Sequence, residues 1–320
     1  MKLNAGRTLM GLLFIIVLAG CGRGETNQLV EGKVNVVTSF YPIYEFASAI
    51  GGENANVINL LPTGVEPHEW TPRSNDIITA SKAQLFFYNG AGLEGWVPNF
   101  LKGLSQDSKV KTVEVSKGIA LIEAEEGADG HDHGAEADSN SNEPEAHETD
   151  PHTWISPKSA MQIAKNIKDS YVQADPAHTA DYESRYEKLA DQLKQLDAKF
   201  TSELSKTNKK EIVVSHQAFG YLCRDYGLTQ HAIMGLSPDA EPRAQDIIEL
   251  TKVVKQENIK YIFFEELVSD KLARTLAGET GVQTLVLNPV EGLTKQEEQN
   301  KDNYFTLMEK NLQNLILALQ

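Results

Sequence analysis

Short apolar runs bounded by polar turns alternate along this chain with segments of helical period. Lys33 to Ser39 carries Val34, Val36 and Val37 into a polar turn before Tyr41-Pro42 and reads as a strand, with a helix from Ile43 to Ile50 behind it. Val57 to Leu61 is a second strand. A helix over Asn75 to Ala83, with Ser74 as its N-cap, leads into a buried strand over Gln84 to Tyr88. Ser156-Pro157 opens a further helix from Lys158 to Val172, the serine capping it and the proline taking its first position. Later the alternation resumes, with strands at Glu211 to Ser215, Ala232 to Met234, Tyr261 to Phe264 and Thr284 to Leu287. Between and after them lie helices at Phe219 to Tyr226, Arg243 to Gln256, Lys271 to Thr280 and Lys301 to Leu319. This order predicts an α/β fold of parallel sheets flanked by helices.

Two stretches break the alternation. Tyr182, Tyr186, Leu189, Leu193, Leu196, Phe200 and Leu204 recur at spacings of four and three, so one helix over Ala177 to Lys206 presents a single apolar stripe. At 1.5 Å per residue it extends about 45 Å, enough to lie across two lobes. The competing reading is the seam of a coiled-coil dimer. Residues 123–149 are rich in acids, Ser, Asn and Gly, carry His131, His133 and His147, and offer almost nothing to bury, which predicts a mobile loop. The expected organisation is therefore an N-terminal lobe over residues 33–175, a linking helix over 176–206 and a C-terminal lobe over 207–320.

The N-terminus does not belong to either lobe. Lys2 and Arg7 precede an apolar segment from Leu9 to Leu18, which is short for a membrane span and closes in Leu18-Ala19-Gly20-Cys21. This resembles the lipobox of a bacterial lipoprotein, which implies a signal peptide over residues 1–20, lipid on Cys21 and a tether over 21–32. With Cys21 so used, Cys223 is left without an intrachain partner, and its apolar surroundings predict a buried, inert thiol. The chain has 30 Lys and Arg against 45 Asp and Glu, a net charge of −15, or −17 once Lys2 and Arg7 are removed. Such a field excludes nucleic acid as a partner and attracts cations.

The chemistry concentrates in a repeated phrase, Glu66-Pro67-His68-Glu69-Trp70 and Asp150-Pro151-His152-Thr153-Trp154. Proline stiffens the chain entering each histidine, the commonest nitrogen ligand of metals, and the tryptophan offers an apolar wall beside the imidazole. Ligands of open parallel sheets lie off the carboxyl ends of strands. His68 follows the second strand, His216 follows Glu211 to Ser215, and Glu291 follows Thr284 to Leu287. His152 reaches the same cleft from a helix N-terminus. Glu265-Glu266, after Tyr261 to Phe264, is a competing ligand, an acceptor for an imidazole N–H, or a helix-start acidic pair. Glu66 and Asp150 are expected as loop acceptors, His178 as solvated and His231 as structural.

The lipobox, the two Pro-His phrases with an acidic His-containing loop between them, Val214-Ser215-His216-Gln217-Ala218-Phe219 and Asn288-Pro289-Val290-Glu291-Gly292-Leu293 together resemble the zinc-specific solute-binding lipoproteins of ABC importers, the metal-binding cluster A-I family. The resemblance covers essentially the whole mature chain. It implies two α/β lobes bridged by one rigid helix, with Zn²⁺ held in the cleft by His68, His152, His216 and Glu291. It further implies a monomer tethered by lipid at the outer face of the cytoplasmic membrane, delivering zinc to an ABC permease with its cytoplasmic ATPase. The family usually continues from the first tryptophan with an acidic residue and proline, where this chain has Thr71-Pro72. The loop residues His131, His133 and His147 would be auxiliary metal ligands in an extended cation sponge, or part of an inert solubilising loop.

Three imidazoles and a carboxylate suit tetrahedral Zn²⁺, whereas manganese favours more oxygen and its relatives tend to place a second carboxylate where His216 stands. A hydrolytic metalloenzyme is disfavoured: Pro72 occupies the place where a His-Glu-x-x-His helix needs its second histidine, and a fourth protein ligand closes the position a catalytic water requires. A manganese-binding protein or a surface adhesin of the same fold is the alternative.

Overall fold

The computed structural model describes residues 28–123, 149–239 and 242–320. Residues 1–20, Cys21 and the loop histidines His131, His133 and His147 lie outside them, as does the loop between Glu123 and Thr149, whose end residues meet in an isolated antiparallel bridge. No helix among the described residues is long and apolar enough to cross a membrane.

The first lobe runs β1 (Val34–Thr38), α1 (Tyr41–Gly51), β2 (Ala55–Asn59), α2 (Ser74–Lys82), β3 (Leu85–Tyr88), α3 (Val97–Gly103), β4 (Lys111–Glu114) and α4 (Pro157–Ala174). After α5 (Thr179–Leu204) the second runs β5 (Glu211–His216), α6 (Gly220–Tyr226), β6 (Thr229–Met234), α7 (Ala244–Gln256), β7 (Tyr261–Phe264), α8 (Lys271–Thr280), β8 (Gln283–Val286), α9 (Lys295–Asn300) and α10 (Tyr304–Ala318). Two parallel four-stranded sheets result, ordered β2-β1-β3-β4 and β6-β5-β7-β8. All five residues of β1 are buried because helices cover both faces of its sheet. Alternation then divides its side chains, Val36 joining the core shared with α1, α4 and α5, and Val37 a smaller outer core with residues of α2 and α3.

The long apolar stripe is consumed within the chain. Tyr182, Leu189, Leu193, Leu196, Phe200 and Leu204 are buried, and α5 packs on α1 and α4 of one lobe and on α6 and α10 of the other. That disposes of the coiled-coil seam. At 26 residues the helix is about 39 Å long, and Pro176–His178 form a separate 3₁₀ turn before it. Ser156 caps α4 as expected, its Oγ accepting from the Lys158 N–H at 3.3 Å. At α2 the cap differs. Arg73 holds that place, its N–H donating to Asp76 at 2.6 Å, because the carboxylate three residues on closes the turn one residue earlier than a Ser74 cap would. β2 also begins and ends two residues earlier than Val57 to Leu61, leaving Leu60 and Leu61 to pack in the loop that carries His68.

Candidate metal centre

Four side chains from four separate segments converge at the carboxyl ends of the two sheets. His68 stands on the loop after β2, His152 just before α4, His216 at the last position of β5 and Glu291 on the loop after β8. His152 Nε2 lies 3.1 Å from His68 Nε2 and 3.2 Å from His216 Nε2. Glu291 Oε1 lies 3.3 Å from His152 Nε2, 3.6 Å from His68 Nε2 and 3.8 Å from His216 Nε2. His152, His216 and Glu291 are buried, and the His68 side chain retains 10 % exposure, so the site opens past His68.

Carboxylates fix the imidazoles from behind. Asp150 Oδ1 accepts from both the backbone N–H and Nδ1 of His152, at 2.9 and 2.8 Å. Glu265 Oε1 accepts from Nδ1 of His216 at 2.7 Å and from the Ser215 hydroxyl at 2.8 Å. Of the readings open for Glu265 the geometry selects the imidazole acceptor, and its neighbour Glu266 is exposed. A carboxylate on Nδ1 fixes the tautomer and leaves the Nε2 lone pair pointing inward. Glu66 accepts from the His68 backbone N–H at 2.9 Å. Asn89, at the end of β3, secures the His152 turn by donating to Pro151 O at 2.8 Å and accepting from the Thr153 hydroxyl at 2.9 Å.

The loop bearing Glu291 is held under strain. Val290 is fully buried at φ 59°, a left-handed conformation that costs a β-branched residue. Asn288 offsets that cost: its Oδ1 accepts from the Val290 N–H at 2.7 Å, while its own N–H donates to Asn311 Oδ1 at 2.8 Å. The two tryptophans of the repeated phrase part company. Trp154 lies against His152, with centroids 5.4 Å apart, and its indole N–H donates to Pro289 O. Trp70 packs edge-on against Trp96 instead, because its loop runs on into α2 over the outer core.

Burial pulls on every group here, yet the partners decide most of them. His152, which burial would lower, is pushed up to about 10 by Asp150 and Glu291. His216 is raised against its burial by Glu265 and Glu291. Burial lowers His68, and Glu291 is held well below the carboxylate range against its burial by His152 and His68. Glu66 is pushed up to about 7 by burial and by Glu291. The pocket thus favours positive charge.

A divalent cation fits this donor set. Glu291 Oε1 is buried without a hydrogen-bond partner, and nitrogen lone pairs converging at 3.1 and 3.2 Å repel unless a cation or proton lies among them. A regular tetrahedron with bonds of about 2.0–2.1 Å has edges of roughly 3.3–3.4 Å, and five of the six pairwise separations, at 3.1 to 3.8 Å, bracket that value. His178, on Asp175, and His231, on Glu211, stand apart from the cluster. Beside Asn89, two further contributors carried no sequence signal of their own. Tyr221 Oη donates to Asp150 O at 2.7 Å, and a side chain at Gly220 would meet Asp150 Oδ2 at 2.3 Å.

The model of the family described as zinc-uptake complex component A, periplasmic, matches residues 36–318. The chain is 40% identical over 308 residues to the zinc-binding lipoprotein AdcA of Streptococcus pneumoniae, covering 96% of this chain and 59% of that one. It thus spans about three fifths of the length of that relative. It is also 40% identical over 311 residues to the high-affinity zinc uptake system protein ZnuA of Bacillus subtilis, covering 96% and 95%. The crystal structure of the Zn(II)-bound ZnuA-like domain of Streptococcus pneumoniae AdcA superposes with a TM-score of 0.75 at 39% identity, over 90% of this chain and 99% of that one.

Proposed function

The chain belongs to the zinc-uptake complex component A family, and on that premise we propose that it captures Zn²⁺ outside the cytoplasm and delivers it to an ABC permease. The ion is cargo, held by Nε2 of His68, His152 and His216 and by Glu291 Oε1. One observation carries the reading: three inward-facing imidazole nitrogens and an unpartnered carboxylate oxygen, drawn from both lobes, all lie within 4.8 Å of one another. The family is one of uptake components rather than enzymes, and four protein donors leave no position for a catalytic water. Lipid on Cys21 would tether a monomer at the outer face of the cytoplasmic membrane, keeping the captured ion beside its exit route.

Nitrogen-rich donors select against manganese, which prefers oxygen. Protein purified without added metal should carry one zinc per chain and retain it when manganese is offered in excess. X-ray absorption at the zinc edge should show four nitrogen or oxygen neighbours at about 2.0 Å. A preference for manganese in that competition overturns the assignment of His216, and protein that binds neither metal overturns the whole proposal.

A further inference from the structure

Two stretches share a seven-residue pattern, Pro72-Arg73-Ser74-Asn75-Asp76-Ile77-Ile78 and Pro242-Arg243-Ala244-Gln245-Asp246-Ile247-Ile248. They open α2 and α7, which occupy equivalent places, each joining the second and third strands of sheets whose strand orders correspond one to one. Local structure repeats as well. In each the arginine N–H donates to the aspartate three residues on, at 2.6 and 3.2 Å, and the first isoleucine packs on the outer core of its lobe.

Helix formation accounts for the proline, the aspartate and the first isoleucine. It leaves the rest unexplained. Ile78 is 52 % exposed and Ile248 57 %, two of the five exposed large apolar side chains among the described residues. Arg73 and Arg243 are exposed too, and the surface pair of Arg243 with Asp246 at 2.9 Å exchanges readily for another partner. Both patches flank the mouth of the clamp. Each helix starts from the loop that leaves the carboxyl end of a strand, β2 or β6, and the four convergent side chains lie at those same ends.

A surface feature duplicated on two pseudo-equivalent lobes fits a partner that presents one surface twice. On a chain of net charge −15, an arginine beside an exposed isoleucine calls for an acidic group beside an apolar pocket in each half of that partner. A second copy of this chain fits poorly, since joining the patches would set arginine against arginine. We infer that the Arg73–Ile78 and Arg243–Ile248 helix starts are the docking face for a membrane permease built from two like subunits, one patch to each. The inference rests on reading the chain as the receptor of a zinc importer.

The test uses the full chain in cells that lack their own copy, with R73E/I78D, R243E/I248D, the four changes together, and L317D as an exposed control on α10. Zinc affinity of each purified variant, measured by chelator competition, should stay within about twofold of the parent, while each double variant lowers radioactive zinc uptake at limiting zinc about tenfold or more. L317D should take up zinc normally. If a charge-reversed variant fails to fold, R73A/I78A and R243A/I248A replace it with the same expectation. Parental uptake by a zinc-loaded fourfold variant present at parental levels would overturn the inference, as would a parental dimer in light scattering that the variants dissociate. A parental chain that fails to restore uptake would instead overturn the delivery reading beneath it.

Discussion

Asp150 does the most for the site among residues outside the four convergent ones. Its Oδ1 takes both N–H groups of His152, while its Oδ2 is buried without a partner beside Gly220. The negative charge makes His152 a stronger base and fixes its tautomer. Replacing Asp150 by Asn keeps the shape and removes the charge, so zinc affinity should fall roughly 10- to 100-fold. The metal-free protein should lose little thermal stability, since an idle buried carboxylate oxygen is itself a cost. Gly220→Ala should reproduce the affinity loss by pressing on Oδ2. Chelator-competition titrations and thermal melts of the metal-free variants check both. Parental affinity in Asp150→Asn would show that Asn89 and the backbone alone orient the ring.

At the scale of elements, the linking helix α5 depends on the turn that precedes it. Asp175 ties that turn down, its carboxylate accepting from Tyr182 Oη at 2.8 Å and His178 Nδ1 at 2.7 Å. Burial works against it, but these partners hold Asp175 below its ordinary range. A depressed folded pKa means that the unfolded chain takes up the proton first. The stabilisation is therefore whole above about pH 4 and drains away as pH falls through the folded value. Asp175→Asn should lower the urea midpoint of metal-free protein at neutral pH, modestly for a single half-buried group at the surface, and by progressively less as pH falls below about 4. A gap that stays constant through that acid series would refute the linkage. The legible elements were those with apolar interiors. Strands β1, β3, β5 and β7 lie inside doubly covered sheets and read as continuous apolar runs, and α5 reads from its stripe. β4, Lys-Thr-Val-Glu at a sheet edge with two exposed positions, has no such run, and neither do the short α3 and polar α9. The four convergent side chains are legible for a different reason, since strand ends and stiffening prolines are local marks. Asn89, Gly220 and Tyr221 carry no local mark. Asn89 and Tyr221 act on Pro151 and Asp150 across 62 and 71 positions of chain, which only the closed fold brings together.

The whole molecule is a clamp whose jaws are joined by bonds of unequal quality, among them Tyr221 Oη to Asp150 O and the Tyr304 N–H to Glu45. At the mouth, Gly64 N donates to Leu293 O at 2.8 Å and the exposed Thr63 hydroxyl to Glu298 at 3.2 Å. Deeper in, the bonds are buried: Trp154 Nε1 donates to Pro289 O at 2.8 Å, and Tyr304 Oη to Trp154 O at 2.8 Å. The Trp154–Pro289 bond sits two residues from His152 on one jaw and two residues from Glu291 on the other. Anything that separates these jaws must break it before the tetrahedron opens, so it belongs to the barrier against zinc release rather than to capture. Trp154→Phe keeps an aromatic wall beside His152 and removes the donor, leaving Pro289 O buried and unpaired in the closed form, a cost of about 1–3 kcal/mol. Opening to water relieves that cost. Zinc should then leave roughly tenfold to a hundredfold faster while associating at the parental rate, each 1.4 kcal/mol being worth about tenfold. Stopped-flow transfer of zinc to a chromophoric chelator measures the release. The visible spectrum of the cobalt-loaded variant, unchanged from the parent, would show that the tetrahedron itself is intact. Release within about twofold of the parent, with that spectrum preserved, would mean that the jaws part without stretching the Trp154 bond and that the barrier lies in the other bonds between the lobes.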